Sequence, residues 1–271
     1  MSDDHYIPDA HNAHIDTRAF EADLEALAQG LTGRALDEAD LWPRVYGLVM
    51  DRLAGPIEQP SYEALICRYL STTKFLWFLP QFDFYFGSAS GFEDKTDCGV
   101  PADYNYSVQE FFSQRDVTPI AWDDYAEQCR SRWLVSSWTE LTDHYDDRLL
   151  WHRYAGGPSG VGVTIRYGDL YEFLNRKSDR LSLTDFTSGR VAYGSPLRKP
   201  PFSKRRNFRN EKEVRFVCRG GVRAAVSISI SSLKDRIGLR FPPDASHDHI
   251  NAVMETWIKW GGREEYQIGG E

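Results

Sequence analysis

Apolar residues recur at spacings of four and three in two N-terminal stretches, Phe20-Leu24-Leu27 and Leu41-Val45-Leu48, each the stripe of an amphipathic helix. Asp16 or Thr17 is placed to cap the first helix and Asp40 the second, with Pro43 near the second helix's start and Gly55-Pro56 past its end. From about Tyr62 the pattern changes to short aromatic and β-branched runs. Phe82–Phe86, Trp133–Trp138, Gly160–Tyr167, Val191–Tyr193, Val214–Cys218 and Ala225–Ile230 read as strands. Helices are predicted over about Glu63–Leu79, Asp123–Ser131, Arg148–Ala155, Tyr171–Lys177 and His249–Trp260, the last stopped by Gly261-Gly262. Strands and helices mix without regular βαβ alternation, so the expected class is α+β, with mixed or antiparallel sheets and flanking helices. Residues 1–60 form a helical N-terminal extension in this reading, and residues 61–271 an α+β domain.

Composition and charge refine this picture. Of 271 residues, 41% are hydrophobic and 14% aromatic, enough for a core over most of the length. No run reaches the roughly 18 apolar residues of a membrane span, and Met1-Ser2-Asp3-Asp4-His5 lacks the order of a signal peptide. Four scattered cysteines (Cys67, Cys98, Cys129, Cys218) form no CxxC pair and read as reduced, buried thiols of a cytoplasmic protein. Residues 1–60 carry 12 acids and 4 bases, which accounts for the whole net charge of −8. Further on, Glu93–Asp147 has a net −9 and Arg190–Arg223 a net +9. Such blocks pair with each other across a fold, or leave a basic surface for an anionic ligand. A bulk nucleic-acid binder is normally basic overall, and this chain is not.

Most standard motifs are absent. Gly156–Gly162 is glycine-rich but lacks the Lys-Ser/Thr of a phosphate loop and leads into a strand, so it reads as a turn. There is no GxSxG and no HExxH. His5, His11 and His14, in an aperiodic arm, read as solvent-exposed, and no metal is expected. Asp83 followed by Glu93-Asp94-Lys95 has the acid, acid-x-Lys order of a divalent-metal nuclease, a pattern common by chance.

Two clusters carry more chemistry. If Glu211 onward is extended, Glu211, Glu213 and Arg215 share one face while Val214, Phe216 and Cys218 share the other. This fits an outer strand with a solvated charged face, or a carboxylate pair on a cleft floor held ionised by basic neighbours. On a helix over Arg148–Ala155, Trp151, Tyr154 and Ala155 line one side, as core packing or as a pocket wall that stacks a ring, and His152 points away.

In this order the segments resemble a bacterial family, the domain of unknown function 2971, over about Tyr62 to Trp260. The similar blocks are Cys67-Arg68-Tyr69-Leu70-Ser71 with Phe84–Ser88 and Gly91-Phe92-Glu93-Asp94; Val135–Glu140 with Leu150–Ala155 and Gly160–Val163; and Tyr193, Lys204 and Glu211-Lys212-Glu213-Val214-Arg215. Glu93 and Lys95 replace an expected Asn and Pro, Phe208 stands where a Trp is usual, and residues 1–60 have no counterpart.

The order of elements is also similar to ADP-ribosyltransferase-like folds, with their split sheet. That resemblance implies an NAD-consuming enzyme, such as a toxin or phage-defence effector, with a nucleic acid or protein as acceptor. In it Arg68 anchors the pyrophosphate or ribose, with Tyr69 in the same cofactor-binding set, and Trp151 or Tyr154 stacks the nicotinamide. Glu213 binds the ribose hydroxyl and stabilises the oxocarbenium-like transition state, Glu211 orients or deprotonates the acceptor, and Lys204 and Arg215 balance the charges. Two other readings stand beside it: a non-enzymatic module binding through the Arg190–Arg223 surface, and the metal nuclease.

Overall fold

The computed structural model describes residues 17–31, 38–53, 55–94, 96–115, 120–143, 146–178, 184–194, 199–219 and 225–269. Asp16, the three N-terminal histidines and Lys95 lie outside the described residues. The fold is α+β, as its pattern predicts, and its centre is one mostly antiparallel sheet of nine strands.

The sheet is organised around β3 (Trp133–Glu140). One edge of β3 pairs antiparallel with β8 (Glu213–Arg219) from Trp133↔Arg219 to Thr139↔Glu213, and β5 (Thr184–Arg190) lies beyond β8. The other edge is shared. β1 (Leu65–Leu70) takes it at Thr139 and Glu140, and β2 (Asp83–Ser88) takes it at Leu134 and Val135. On that edge Ser136, Ser137 and Trp138 pair with no strand among the described residues, so β1 and β2 diverge there as a fork. β4 (Val161–Arg166), β10 (Gly238–Phe241) and the parallel β11 (Tyr266–Ile268) continue outward from β1, and β9 (Ala225–Ser229) from β2.

One face of the sheet is a continuous apolar layer. Ile66, Phe84, Phe86, Leu134, Trp138, Val163, Phe216 and Leu239 alternate onto it. It is covered by α3 (Thr72–Phe78), α7 (Tyr167–Ser178) and α8 (His247–Lys259), whose Ile250, Val253, Met254 and Trp257 fall at helical spacing. Ser246 caps α8, accepting from the His249 N–H, and the left-handed Gly261 (φ 84°) closes it, the Gly262 N–H reaching the Trp257 carbonyl at 3.0 Å. The opposite face holds two small apolar clusters, one around Tyr69, Leu150 and Trp151 and one around Cys98, Trp133 and Phe202.

Several expected elements change. The helix over Glu63–Leu79 is a strand followed by a short helix: β1 pairs with β4 over six residues, and Ser71 then caps α3 by accepting from the Lys74 N–H. Its apolar pattern fits both structures, and long-range pairing decides. In α2 (Glu38–Arg52) both Asp40 and Pro43 lie inside the helix, not at its start, because burial of Leu41, Trp42, Val45, Tyr46 and Val49 carries the helix past the proline. Helix α4 (Ala102–Ser113) and strands β5, β10 and β11 carry no sequence expectation.

Helices α1 (Thr17–Leu31) and α2 do not stand apart from the rest. Phe20, Leu24, Trp42 and Val45 share one core with Tyr104, Val108 and Phe112 of α4 and Trp122 of α5 (Ile120–Ser131). Residues 57–59 then run against β5, where the Glu58 carbonyl accepts from the Arg190 N–H at 2.7 Å. We expect Phe20→Ala, which empties a fully buried site, to cost about 3–5 kcal/mol within a single cooperative unfolding transition. An early, separate melt of helices in circular dichroism, with the sheet intact, would contradict this shared core.

Candidate functional site

Between the two small apolar clusters the sheet carries charge. Thr139 pairs with Glu213 and Ser137 with Arg215, so these side chains share the face opposite the large core. Arg215 is fully buried there and bridges two carboxylates. It donates from Nε and Nη2 to Glu213 at 2.7 and 3.1 Å, and from Nη1 and Nη2 to Asp97, both at 2.8 Å. Its remaining reach goes to the Pro201 carbonyl at 3.0 Å and the Cys98 sulfur at 3.2 Å. A guanidinium is suited to this, with five donors in a fixed plane matching two carboxylates at once.

Lys204, on the short strand β7 (Ser203–Lys204), lies among the same acids. Its ammonium donates to Glu211 at 2.7 Å and Glu213 at 3.2 Å, and stands 3.6 Å from Asp97. Glu211 ends a 3₁₀ turn, Arg206–Glu211, and the left-handed Lys212 (φ 42°) follows it. Glu211 therefore does not continue the strand alternation expected of it; the turn swings it onto Lys204. Its other oxygen accepts from Arg153 at 2.8 Å and from the Tyr154 hydroxyl at 2.6 Å. Three acids thus meet three bases, and only Arg153 and Tyr154 at the rim are exposed.

The electrostatics follow from this packing. Burial alone would raise the Glu213 pKa, but Arg215 and Lys204, with a Ser137 hydrogen bond, bring it down from 4.5 to about 2. Lys204 is displaced upward, since Glu213 and Glu211 outweigh its burial. Burial and the Glu211 carboxylate push the Tyr154 hydroxyl upward too, so it stays protonated as a donor. The expectation of an outer strand with a solvated face is corrected: β8 lies between β3 and β5, with both faces covered.

The other expected site residues separate. Arg68 lies on the large-core face with Ile66 and Leu70, at the fork. It bridges the gap, donating to the Tyr85 carbonyl of β2 at 3.2 Å and the Ser136 hydroxyl at 3.1 Å. It meets no carboxylate among the described residues, and burial lowers its pKa to about 10. Tyr69 and Trp151 pack edge to face at 4.7 Å beside a buried Asp147–Arg240 pair. Trp151 and Tyr154 do not stand together as expected, because Trp151–Ala155 is a π-helix, whose wider turn moves residues three apart off a common face.

Asp97, Cys98, Arg153 and Ser137 were not singled out from sequence. Only the charge balance hinted at them, since pairing of the acidic block 93–147 with the basic block 190–223 was one of its two outcomes. The blocks pair through Asp97 with Arg215 and Lys204, Asp94 with Arg205, and Glu140 with Arg190. In the nuclease pattern, Asp94 is engaged by Thr96 and Arg205, and no cluster of three metal-capable side chains occurs among the described residues. The four cysteines are free and buried, and no described helix is long and apolar enough to cross a membrane. Comparison with protein-family models, curated proteins and solved structures finds no match.

Two outcomes are expected. Arg215→Met leaves Asp97 and Glu213 buried without their main partner and should cost about 3–5 kcal/mol in denaturant unfolding; a change under 1 kcal/mol would show the cluster to be dispensable. Because the Glu213 pKa is lower in the folded chain, its stabilisation is complete above pH 4.5 and lost as pH falls towards 2. Acid titration of Glu213→Gln should accordingly show a shallower loss of stability across that window than the wild type.

Proposed function

We propose that this protein is an NAD-consuming enzyme of the ADP-ribosyltransferase type, taking the dinucleotide at the fork between β1 and β2. The observation that carries the reading is the break in strand pairing over Ser136–Trp138, with Arg68, which meets no carboxylate among the described residues, bound to Ser136 on one face and the ionised Glu213 beside Ser137 on the other. The division of one β3 edge between β1 and β2 supports this reading, because the resemblance implies a split sheet.

In this reading the Arg68 guanidinium exchanges its Tyr85 carbonyl and Ser136 hydroxyl for phosphate oxygens, a stronger charge-assisted pairing. Tyr85, half-exposed on β2, supplies a ring wall. A ribose hydroxyl taking the place of the Ser137 hydroxyl reaches Glu213 without breaking its bonds to Arg215. The glycosidic C–N bond then breaks with both electrons leaving on nicotinamide, and the Glu213 charge stabilises the cationic ribose. The acceptor's nucleophile closes the new bond and loses its proton to solvent, while the buried Glu211 orients it through Arg153 and Tyr154 at the rim. Asp97 and Arg215 position Glu213, and Trp151 with Tyr69 forms a buried wall rather than a stacking platform.

The test is release of nicotinamide from ring-labelled NAD by the purified chain, with water, protein or nucleic acid as acceptor. Glu213→Gln should reduce the rate by at least about 100-fold. Arg68→Gln should raise KM more than it lowers kcat, the sign of lost phosphate binding. A wild-type protein that releases no nicotinamide with any of the three acceptors would end the reading.

A further inference from the structure

At the rim of the charge cluster lies a second feature, the turn Arg205-Arg206-Asn207-Phe208-Arg209-Asn210-Glu211-Lys212. Glu211 faces inward, whereas Arg205, Arg206, Asn207, Arg209, Asn210 and Lys212 are all exposed. The Phe208 ring is partly exposed and ringed by cations, with Lys204 at 4.7 Å, Arg153 at 5.4 Å and Arg205 at 5.6 Å from its centroid. The turn is tied to the site through Glu211, which holds Arg153 and Tyr154.

We infer that this turn is a docking surface for single-stranded nucleic acid, presented to the rim of the site as its acceptor. As an acceptor assignment the inference rests on the transferase reading; as a binding surface it stands without it. Three kinds of group needed for such a strand occur within eight residues. Guanidinium and ammonium groups take phosphates, which dominate affinity for any nucleic acid. An aromatic ring and guanidinium planes offer stacking surfaces to unpaired bases. Exposed asparagine amides carry both donor and acceptor for base edges. An acidic protein surface would be met by the charges alone and would make no use of the ring or the amides.

The overall charge of −8 does not oppose this locally. Among the described residues, Asp94 is engaged by Arg205, and Asp97 by Arg215 and Lys204. Within Arg190–Arg223, Arg190 and Arg215 are committed to carboxylates inside the fold and add nothing to a basic surface, whereas the turn is exposed.

The experiment is fluorescence anisotropy of labelled single-stranded DNA and RNA oligonucleotides with the full chain, without NAD, at 50 and 200 mM salt. Binding of either should weaken with salt, and the double variant Arg206→Gln/Arg209→Gln should lower the log–log salt slope by about 1.4, two charges at about 0.7 each. Phe208→Leu should weaken binding several-fold and leave that slope unchanged. No binding, an unchanged slope in the double variant, or equal binding of poly-glutamate would overturn the inference. Nicotinamide release is read separately, so a chain that binds the oligonucleotide but leaves NAD intact refutes only the transferase reading.

Discussion

A guanidinium with no exposure to water, shared between two carboxylates, is costly to assemble and more costly to break. Arg215 loses all hydration and recovers it from Glu213, Asp97, a carbonyl and a thiol. That demand brings together three remote parts of the chain: β8, Asp97-Cys98 and the Pro200–Phe202 turn. It also explains why the second face of the sheet is not one apolar core. Its two hydrophobic clusters are small and flank the charges.

The same logic extends to the N-terminal helices. Arg130 of α5 is buried, and it donates to the Asp97 carbonyl at 2.9 Å and the Ala89 carbonyl at 2.7 Å, while α5 packs against α2. The backbone that presents Asp97 to Arg215 is thus held from behind by the helical layer. Helices that read as an extension along the chain are in contact with the support of the site. The opposed charge blocks join these layers through Arg190, Lys204, Arg205 and Arg215, which pair with Glu140, Asp97 and Asp94.

The functional reading depends on a contrast between two arginines of one sheet. Arg215 is saturated by acids and positions other groups. Arg68 spans a gap in the strand ladder, bonded to neutral oxygens alone among the described residues, and therefore has the stronger gain from an incoming anion. Glu213 is locked in place by Arg215, yet lies beside Ser137 on the strand where β1 and β2 part. A carboxylate held ionised in low dielectric is what a developing positive charge requires.

Much of this was legible before the structure. Alternation over Phe82–Phe86, Trp133–Trp138 and Val214–Cys218 marks strands that exist, and the stripes of α1, α2 and α8 mark helices that exist, because local periodicity reports which side of an element is buried. Glu211, Glu213, Lys204, Arg215 and Tyr154 do converge. The strand at Arg68 was obscured, since Ile66, Cys67, Tyr69 and Leu70 satisfy a helical stripe as well as a strand. The π-helix at Trp151–Ala155 parted two rings that ordinary helical spacing puts together. Asp97 was one acid among thirteen in its block, and nothing along the chain distinguishes the one that meets Arg215.

The amino-acid order alone determined the α+β class and the helical N-terminus, since these follow from local period, and it offered the pairing of two opposed charge blocks as one of two arrangements. Tertiary structure alone decided which acid pairs with which base, that β1 and β2 divide one edge of β3, and that Arg68 and Glu213 approach from opposite faces. Strand register and turn direction select among partners that are equivalent in sequence, and both are set by contacts between residues far apart in the chain.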